Sequence, residues 1–460
     1  MHRFECARPP RPADHVDACW WWTESTWVRW IRGVRACTPI EQRSGWPRRH
    51  DHRTGYGCSM SSVASEAKSR IESEIDRWSD RIVSASRSIH AKPELNFEEV
   101  FAHDLLTSIL EEAGLPVERH AYGVNTAFEA KVGSTGPEVL VLLEYDALPG
   151  IGHGCGHNVI AGAGLGAGLA AAAIARDIGG TVRILGTPAE EGGGGKIYMA
   201  RQGAFSSGAA AMMVHPADAD LLRMDSLAIH TVDVVYHGRE AHASAAPWEG
   251  RNALDAAVLG YMNIAALRQH IRPNERIHGI FTEAGEKPNI VPRRAAATWY
   301  VRAADSASLQ PLKGRVLACL EGASQACGCT MDATWDGHFY AEVRDNETLA
   351  AAYAGNMETI GREVVDPRVT GRRVMGSTDM GNVSYLVPSI HPMIQVAPSG
   401  VPIHTRDFAE YAGSESGDRA VIDGARAMAM TVVDLWLDEQ LRARVNDEFC
   451  RLPRDVDVLA

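Results

Sequence analysis

The chain has 460 residues, 45% of them hydrophobic and 23% charged, with a formal net charge of -12. That composition supports two folded domains and excludes collagen, coiled coil and wholesale disorder. The negative balance argues against nucleic-acid binding. The longest uncharged apolar run, Val159 to Ala175, is mostly Ala and Gly and falls short of the roughly 20 residues a membrane span needs, so no membrane partner is expected.

Residues 1–59 differ in composition from the rest. They hold six of the eleven Trp and four of the nine Cys, with ten Arg against six acids and neither Leu nor Lys. No apolar stretch of about 7–15 residues marks a secretory signal. This segment is expected to be a non-structural leader, with the folded protein starting near Met60. Nine cysteines without a disulfide-like spacing are expected to be reduced thiols of a cytoplasmic protein.

Amphipathic spacing from Arg70 to His90, and again from Phe97 to Ala113, predicts two helices. Strands are expected at Thr126–Val132, Val139–Leu143, Thr181–Leu185 and Ala209–Val214, with helices at Val159–Ala175 and Lys196–Arg201 between them. This alternation is that of an α/β domain, a sheet covered by helices on both faces. At Ser226 the rhythm changes to strand Leu227–Tyr236, helix Asn252–His270, strands Ile277–Thr282 and Ala295–Arg302, helix Ser308–Cys327 and strand Thr330–Trp335. That βαββαβ order is the split-βαβ, ferredoxin-like plan, read here as an insertion. The expected division is therefore a discontinuous domain over 60–225 and 340–445, an inserted domain over 226–339, and a C-terminal tail over 446–460.

Four clusters carry chemistry. In Glu144-Tyr145-Asp146-Ala147-Leu148-Pro149-Gly150-Ile151-Gly152-His153-Gly154-Cys155-Gly156-His157-Asn158, Cys155 and His157 are two apart, so an extended backbone would aim both at one centre. Thiolate and imidazole together suit zinc or another borderline transition metal. In Thr187-Pro188-Ala189-Glu190-Glu191-Gly192, an extended segment would point the two carboxylates in opposite directions, one toward metal and one standing off as a general base. His215 and His404 complete a set sufficient for two metals. Gly162–Ala167 fits a loose dinucleotide fingerprint but lies inside a helix, so close helix packing explains its glycines better.

These motifs resemble the two-metal metallopeptidases that include aminoacylases and carboxypeptidase G, in the subgroup of hippurate, auxin-conjugate and aminobenzoyl-glutamate hydrolases. Within it the chain is most similar to the β-alanyl-lysine dipeptidase branch, over roughly Ser69 to Leu437. The resemblance implies a zinc-exopeptidase-like mixed sheet with an inserted lid and dimerisation domain. It implies two divalent ions, Zn2+ or Mn2+, held by Cys155, His157, Glu191, His215 and His404, with Glu190 as general base. His242 is implied to reach a partner subunit's active site in a homodimer. Asn289 and Arg302 are implied to bind substrate, and Asp146 and Asp379 to stand behind the ligands. The implied activity is cleavage of the amide bond in small dipeptides or N-acyl amino acids. The alternative is a catalytically silent binding protein on the same fold, which would have lost a ligand or the base. Every one of those positions is filled here.

Overall fold

A computed structural model describes residues 60–370, 375–453 and 455–460; the leader expected at 1–59 lies outside them. The larger sheet has six strands in the order Val117–Arg119, Phe128–Val132, Thr181–Gly186, Glu138–Leu143, Ala210–Met212 and Ser389–Ile390. The first two strands are antiparallel to their neighbours and the remaining four run parallel. Strand Glu138–Leu143 shows why the sheet is covered twice. Val139, Val141 and Leu143 pack into one core and Leu140 and Leu142 into another, as the two-residue period of a strand requires.

The first core lies under the long helices Met60–Ala91, His157–Ile178 and Glu415–Leu437. The second lies under short helices, including Gly195–Arg201 and Met380–Ser384. The central helix His157–Ile178 is apolar enough by composition to cross a membrane, but 94% of its most apolar window is buried among these elements. Its glycines are packing surfaces. A Cβ at Gly162 would sit 2.9 Å from Val421, one at Gly166 2.8 Å from Ala425, and one at Gly168 2.6 Å from Ile184. That contact, and not a nucleotide, accounts for the spacing.

Residues Ala228–His237, Arg276–Glu283, Arg294–Ala303 and Thr330–Trp335 form a second, fully antiparallel sheet. Its order places the fourth and third strands on either side of the first, with the second at one edge. Helices Ala253–Leu267 and Ser306–Ala326 cover one face, burying Val232, Val234, Trp299 and Val301. The opposite face, carrying Ile229, Thr231, Asp233, Thr298, Tyr300 and Arg302, lines a cavity described below. The C-terminal residues also pack: Glu439–Cys450 is helical, and Val458 joins the core of this second sheet.

Candidate metal centre and active site

The chemistry-bearing residues sit where the parallel strands end, the usual place for a site in an open α/β sheet. Strand Glu138–Leu143 runs into Glu144 and Asp146, Thr181–Gly186 leads to Glu190 and Glu191, and Ala210–Met212 is followed by His215. The fourth parallel strand, Ser389–Ile390, delivers His391. Helix His157–Ile178 begins at this same end, with Gly156 in the left-handed region at its N-cap. A Cβ at Gly156 would meet Pro216 at 2.6 Å. Cys155 and His157 therefore converge through a left-handed turn into a helix, not along the extended segment expected from their spacing.

Donor atoms crowd into one buried volume. Cys155 Sγ lies 3.4 Å from His215 Nε2. His157 Nε2 is 3.6 Å from Glu144, 3.9 Å from Glu190 and 3.9 Å from Glu191. His404 Nε2 is 3.6 Å from Glu191. Three overlapping donor groups result: Cys155, His157 and His215; Cys155, Glu191 and His404; Glu144, His157 and Glu190. Both carboxylates of the Glu pair thus face the same imidazole, contrary to the opposed directions expected of an extended segment. The cause is local. Ala189 has φ +59°, which turns the chain just before the pair.

The histidine tautomers are set by their other nitrogens. His157 Nδ1–H donates to Asp146 (2.9 Å) and His215 Nδ1–H to the Pro216 carbonyl (2.8 Å), so each presents an Nε2 lone pair. Among the described residues, His157 Nε2 and Glu191 Oε1 are buried without a hydrogen-bond partner, as is Glu144 Oε2. Buried polar atoms left unbonded are costly, and borderline divalent cations are what lone pairs of N, O and S satisfy together. The donor set fits such ions. Burial pushes the Cys155 thiol and the Glu190 carboxyl well above their usual ranges, Glu144 and Glu191 adding to the effect on Glu190. Burial alone would lower His157, but Asp146 and Cys155 outweigh it and raise its proton affinity. A cation would replace that proton.

Several supporting residues carry no sequence signal of their own. Buried Lys196 donates to Glu144 (2.5 Å) and Asp379 (2.7 Å), and Asp379 also receives the Lys196 backbone N–H. The carboxylates raise the Lys196 pKa despite its burial. Tyr340 donates its hydroxyl proton to the Glu190 carbonyl and accepts from the N–H groups of Gly192 and Gly194. Glu99, raised to about 7 by burial and by Asp146, accepts from the Ala189 N–H. The loop bearing Glu190 is thereby held from both sides.

Cys155, Glu190, Glu191, His215, His404 and Arg302 all border one cavity of about 770 Å³ between the two sheets. Arg302 donates to Ser377 (3.2 Å), and its Nε is buried without a partner among the described residues. Asp146 and Asp379 lie behind the cavity, bonded to His157 and Lys196. His242 and Asn289 do not reach the cavity. They are exposed neighbours on the second sheet's domain, joined by the Ala243 N–H to the Asn289 carbonyl at 3.1 Å.

A split α/β domain with Cys, His and Glu donors at its strand ends, beneath a ferredoxin-like lid, defines a metallohydrolase of the zinc-exopeptidase type. The description of Peptidase family M20/M25/M40 matches residues 140–431, and the chain belongs to that family. It is 39% identical over 415 residues to mouse Xaa-Arg dipeptidase, spanning 87% of this chain and 96% of that one. It is 29% identical to one of the subunits of the p-aminobenzoyl-glutamate hydrolase of Escherichia coli, over 84% of this chain and 97% of the relative. In fold it matches a dinuclear metal-binding M20 peptidase from Bacillus subtilis, with TM-score 0.61 and 18% identity over 78% of this chain and 99% of that one. The chain is a hydrolase of peptide or amide bonds, in the amidohydrolase subgroup that its motifs resemble.

Proposed function

We propose that this chain is a two-metal dipeptidase acting on small peptides with a basic C-terminal residue. The observation that carries the reading is the buried, unbonded Nε2 of His157 facing Glu190 and Glu191, beside the Cys155–His215 pair. The 39% identity to an Xaa-Arg dipeptidase supports the substrate class.

In this reading Cys155, His157, Glu191, His215 and His404 hold two divalent cations, zinc or manganese. When bound, these ions supply the positive charge that polarises a scissile carbonyl and makes water acidic. Glu190 takes the proton from water and returns it to the leaving amine. Its burial beside Glu144 and Glu191 favours the protonated form that the second transfer needs. Asp146 fixes the tautomer of His157, and Asp379 acts through Lys196 to hold Glu144 in place. Arg302, with no carboxylate partner among the described residues, takes the substrate carboxylate.

His242 and Asn289 serve the site of a second copy. The lid offers an edge for such pairing: among the described residues, strand Arg276–Glu283 bonds a neighbour on one side only, and it exposes Ile280 and Phe281. Exposed Val258, Tyr261 and Met262 on the helix Ala253–Leu267 extend that apolar surface. Cys155, Cys319, Cys327 and Cys329 are free thiols, which supports a reducing, cytoplasmic location.

The test is a substrate panel on enzyme of measured metal content, comparing Xaa-Arg and Xaa-Lys dipeptides, aminobenzoyl-glutamate and N-acetyl amino acids. Preference for the basic dipeptides, lost on chelation and restored by zinc or manganese, is expected. Faster turnover of aminobenzoyl-glutamate would move the enzyme to the other branch of its subgroup.

A further inference from the structure

The lid face over the cavity is electrically asymmetric. Its strand register pairs Arg302 with Ile229, Tyr300 with Thr231 and Thr298 with Asp233, so these six side chains share one face in three rows. Arg302 lies at one end and Asp233 at the other, four residues away along the strand, or about 13 Å. Trp335 pairs with Val232, and the Asp336 N–H donates to the Thr231 carbonyl (3.1 Å). That contact sets Asp336 across from Thr231, on the diagonal from Asp233, a distance of about 7–8 Å. Asp233 and Asp336 both border the catalytic cavity. Among the described residues neither is paired with a Lys or Arg; Asp233 accepts only the Thr298 hydroxyl (2.5 Å).

A second feature marks the same cavity as built for a polar ligand. His391 is 1% exposed and borders the cavity, yet neither of its ring nitrogens has a hydrogen-bond partner among the described residues. Its ring lies 5.4 Å from that of His215, so an unsatisfied polar group stands directly beside the reacting centre. A buried imidazole in this state lacks the partner that a bound polar molecule supplies.

We propose that Asp233 and Asp336 are specificity-determining residues that hold a positively charged group of the peptide, at the far end from the carboxylate taken by Arg302. This deepens the dipeptidase reading and rests on it. Asp233 and Asp336 are exposed at the mouth of the cavity, and two opposite charges at the two ends of one sheet face select a substrate that carries both by electrostatic complementarity. The cation is either the basic side chain of the C-terminal residue or the peptide's amino terminus; both chemistries suit a pair of carboxylates.

The experiment uses the metal-loaded full chain and the variants Asp233→Asn, Asp336→Asn and the double variant. The first readout is the ratio of kcat/KM for β-alanyl-lysine to that for β-alanyl-norleucine, an analogue without the ammonium group. The double variant should lower this ratio about 10–100-fold, the range expected for losing charged hydrogen bonds. The second readout is the ratio for β-alanyl-norleucine to propionyl-norleucine. A fall confined to this second ratio assigns the carboxylates to the amino terminus. Unchanged ratios in both arms, in variants that melt like the parent, overturn the proposal. If the parent enzyme hydrolyses none of these peptides, it is the dipeptidase reading that fails.

Discussion

Glu190 and Glu191 are neighbours in sequence, both close to one imidazole, yet their surroundings divide the work between them. Glu191 has an oxygen that is buried and unbonded and lies 3.6 Å from His404, as a ligand carboxylate would. Glu190 has its backbone carbonyl clamped by Tyr340 and its carboxyl beside Glu144, where a proton is welcome. Glu190→Gln is therefore expected to keep bound metal while losing about 10²–10⁴ in turnover, the usual cost of deleting a general base. Cys155→Ala and Glu191→Gln should lose metal along with activity. Metal content by atomic emission, read beside kcat, separates the two outcomes; normal turnover by metal-replete Glu190→Gln would refute the base assignment. The residues that sequence reading passed over share a physical reason. Lys196 has no motif of its own, and its role appears only once folding places it between Glu144 and Asp379. His391 follows a strand of just two residues, too short to leave a periodic signal. The one available clue was position, since a histidine after an apolar stretch can sit at the strand-end rim that carries the other donors.

At the level of elements, short apolar or β-branched runs bounded by turn residues placed strands buried on both faces, such as Glu138–Leu143 and Thr181–Gly186, and the largely exposed Thr330–Trp335 alike. Strand Thr330–Trp335 was legible to the residue, and Glu138–Leu143 and Thr181–Gly186 to within one. The order of the lid sheet followed from the βαββαβ plan because split-βαβ connections leave few alternatives. The loop Thr187–Gly195 was not legible in the same way. Its shape depends on a left-handed Ala189 and on bonds from Glu99, Asn96 and Tyr340, all distant in sequence. Within the lid, His230 offers a test of how tightly an element is specified. Lys313 donates to its Nδ1 (2.8 Å), and its Nε2–H donates to the Asp336 carbonyl (3.0 Å), a pattern open only to the neutral ring. Burial accordingly lowers its pKa to about 4. In the unfolded chain the ring titrates near 6.5, so between pH 4 and 6.5 the unfolded state binds the extra proton. The stability this histidine contributes is complete above pH 6.5 and is lost as pH falls toward 4. His230→Gln, which lacks a titrating ring, should show a shallower fall in melting temperature across that window. Parallel curves for parent and variant would show that the ring is not held neutral by the fold.

At the scale of the whole molecule, the positions divide between two places. The cavity collects Cys155, Glu191, His215, His404, the base Glu190 and Arg302, with His157 fully buried behind it, while His242 and Asn289 stand exposed outside it. The Nδ1 of His242 accepts from the N–H groups of Ser244 and Ala245, both at 3.3 Å, so the proton resides on Nε2 and is available to an acceptor beyond this chain. A histidine prepared as a donor but remote from its own site is explained if a two-fold dimer inserts it into the neighbour's cavity, a contact that symmetry makes twice. There it would donate to the oxyanion that forms on the scissile carbonyl. Complementation distinguishes this from a purely local role. His242→Ala and Glu190→Gln are each expected to be inactive alone. When the two are dissociated and reassembled together, a mixed dimer has one site with both lesions. Its other site combines an intact Glu190 with the partner's intact histidine. Random pairing at equal amounts makes about half the dimers mixed, each with one working site of two, so about a quarter of parent activity should return. If His242 instead serves the site of its own chain, every site in the mixture retains a lesion and mixing restores no activity.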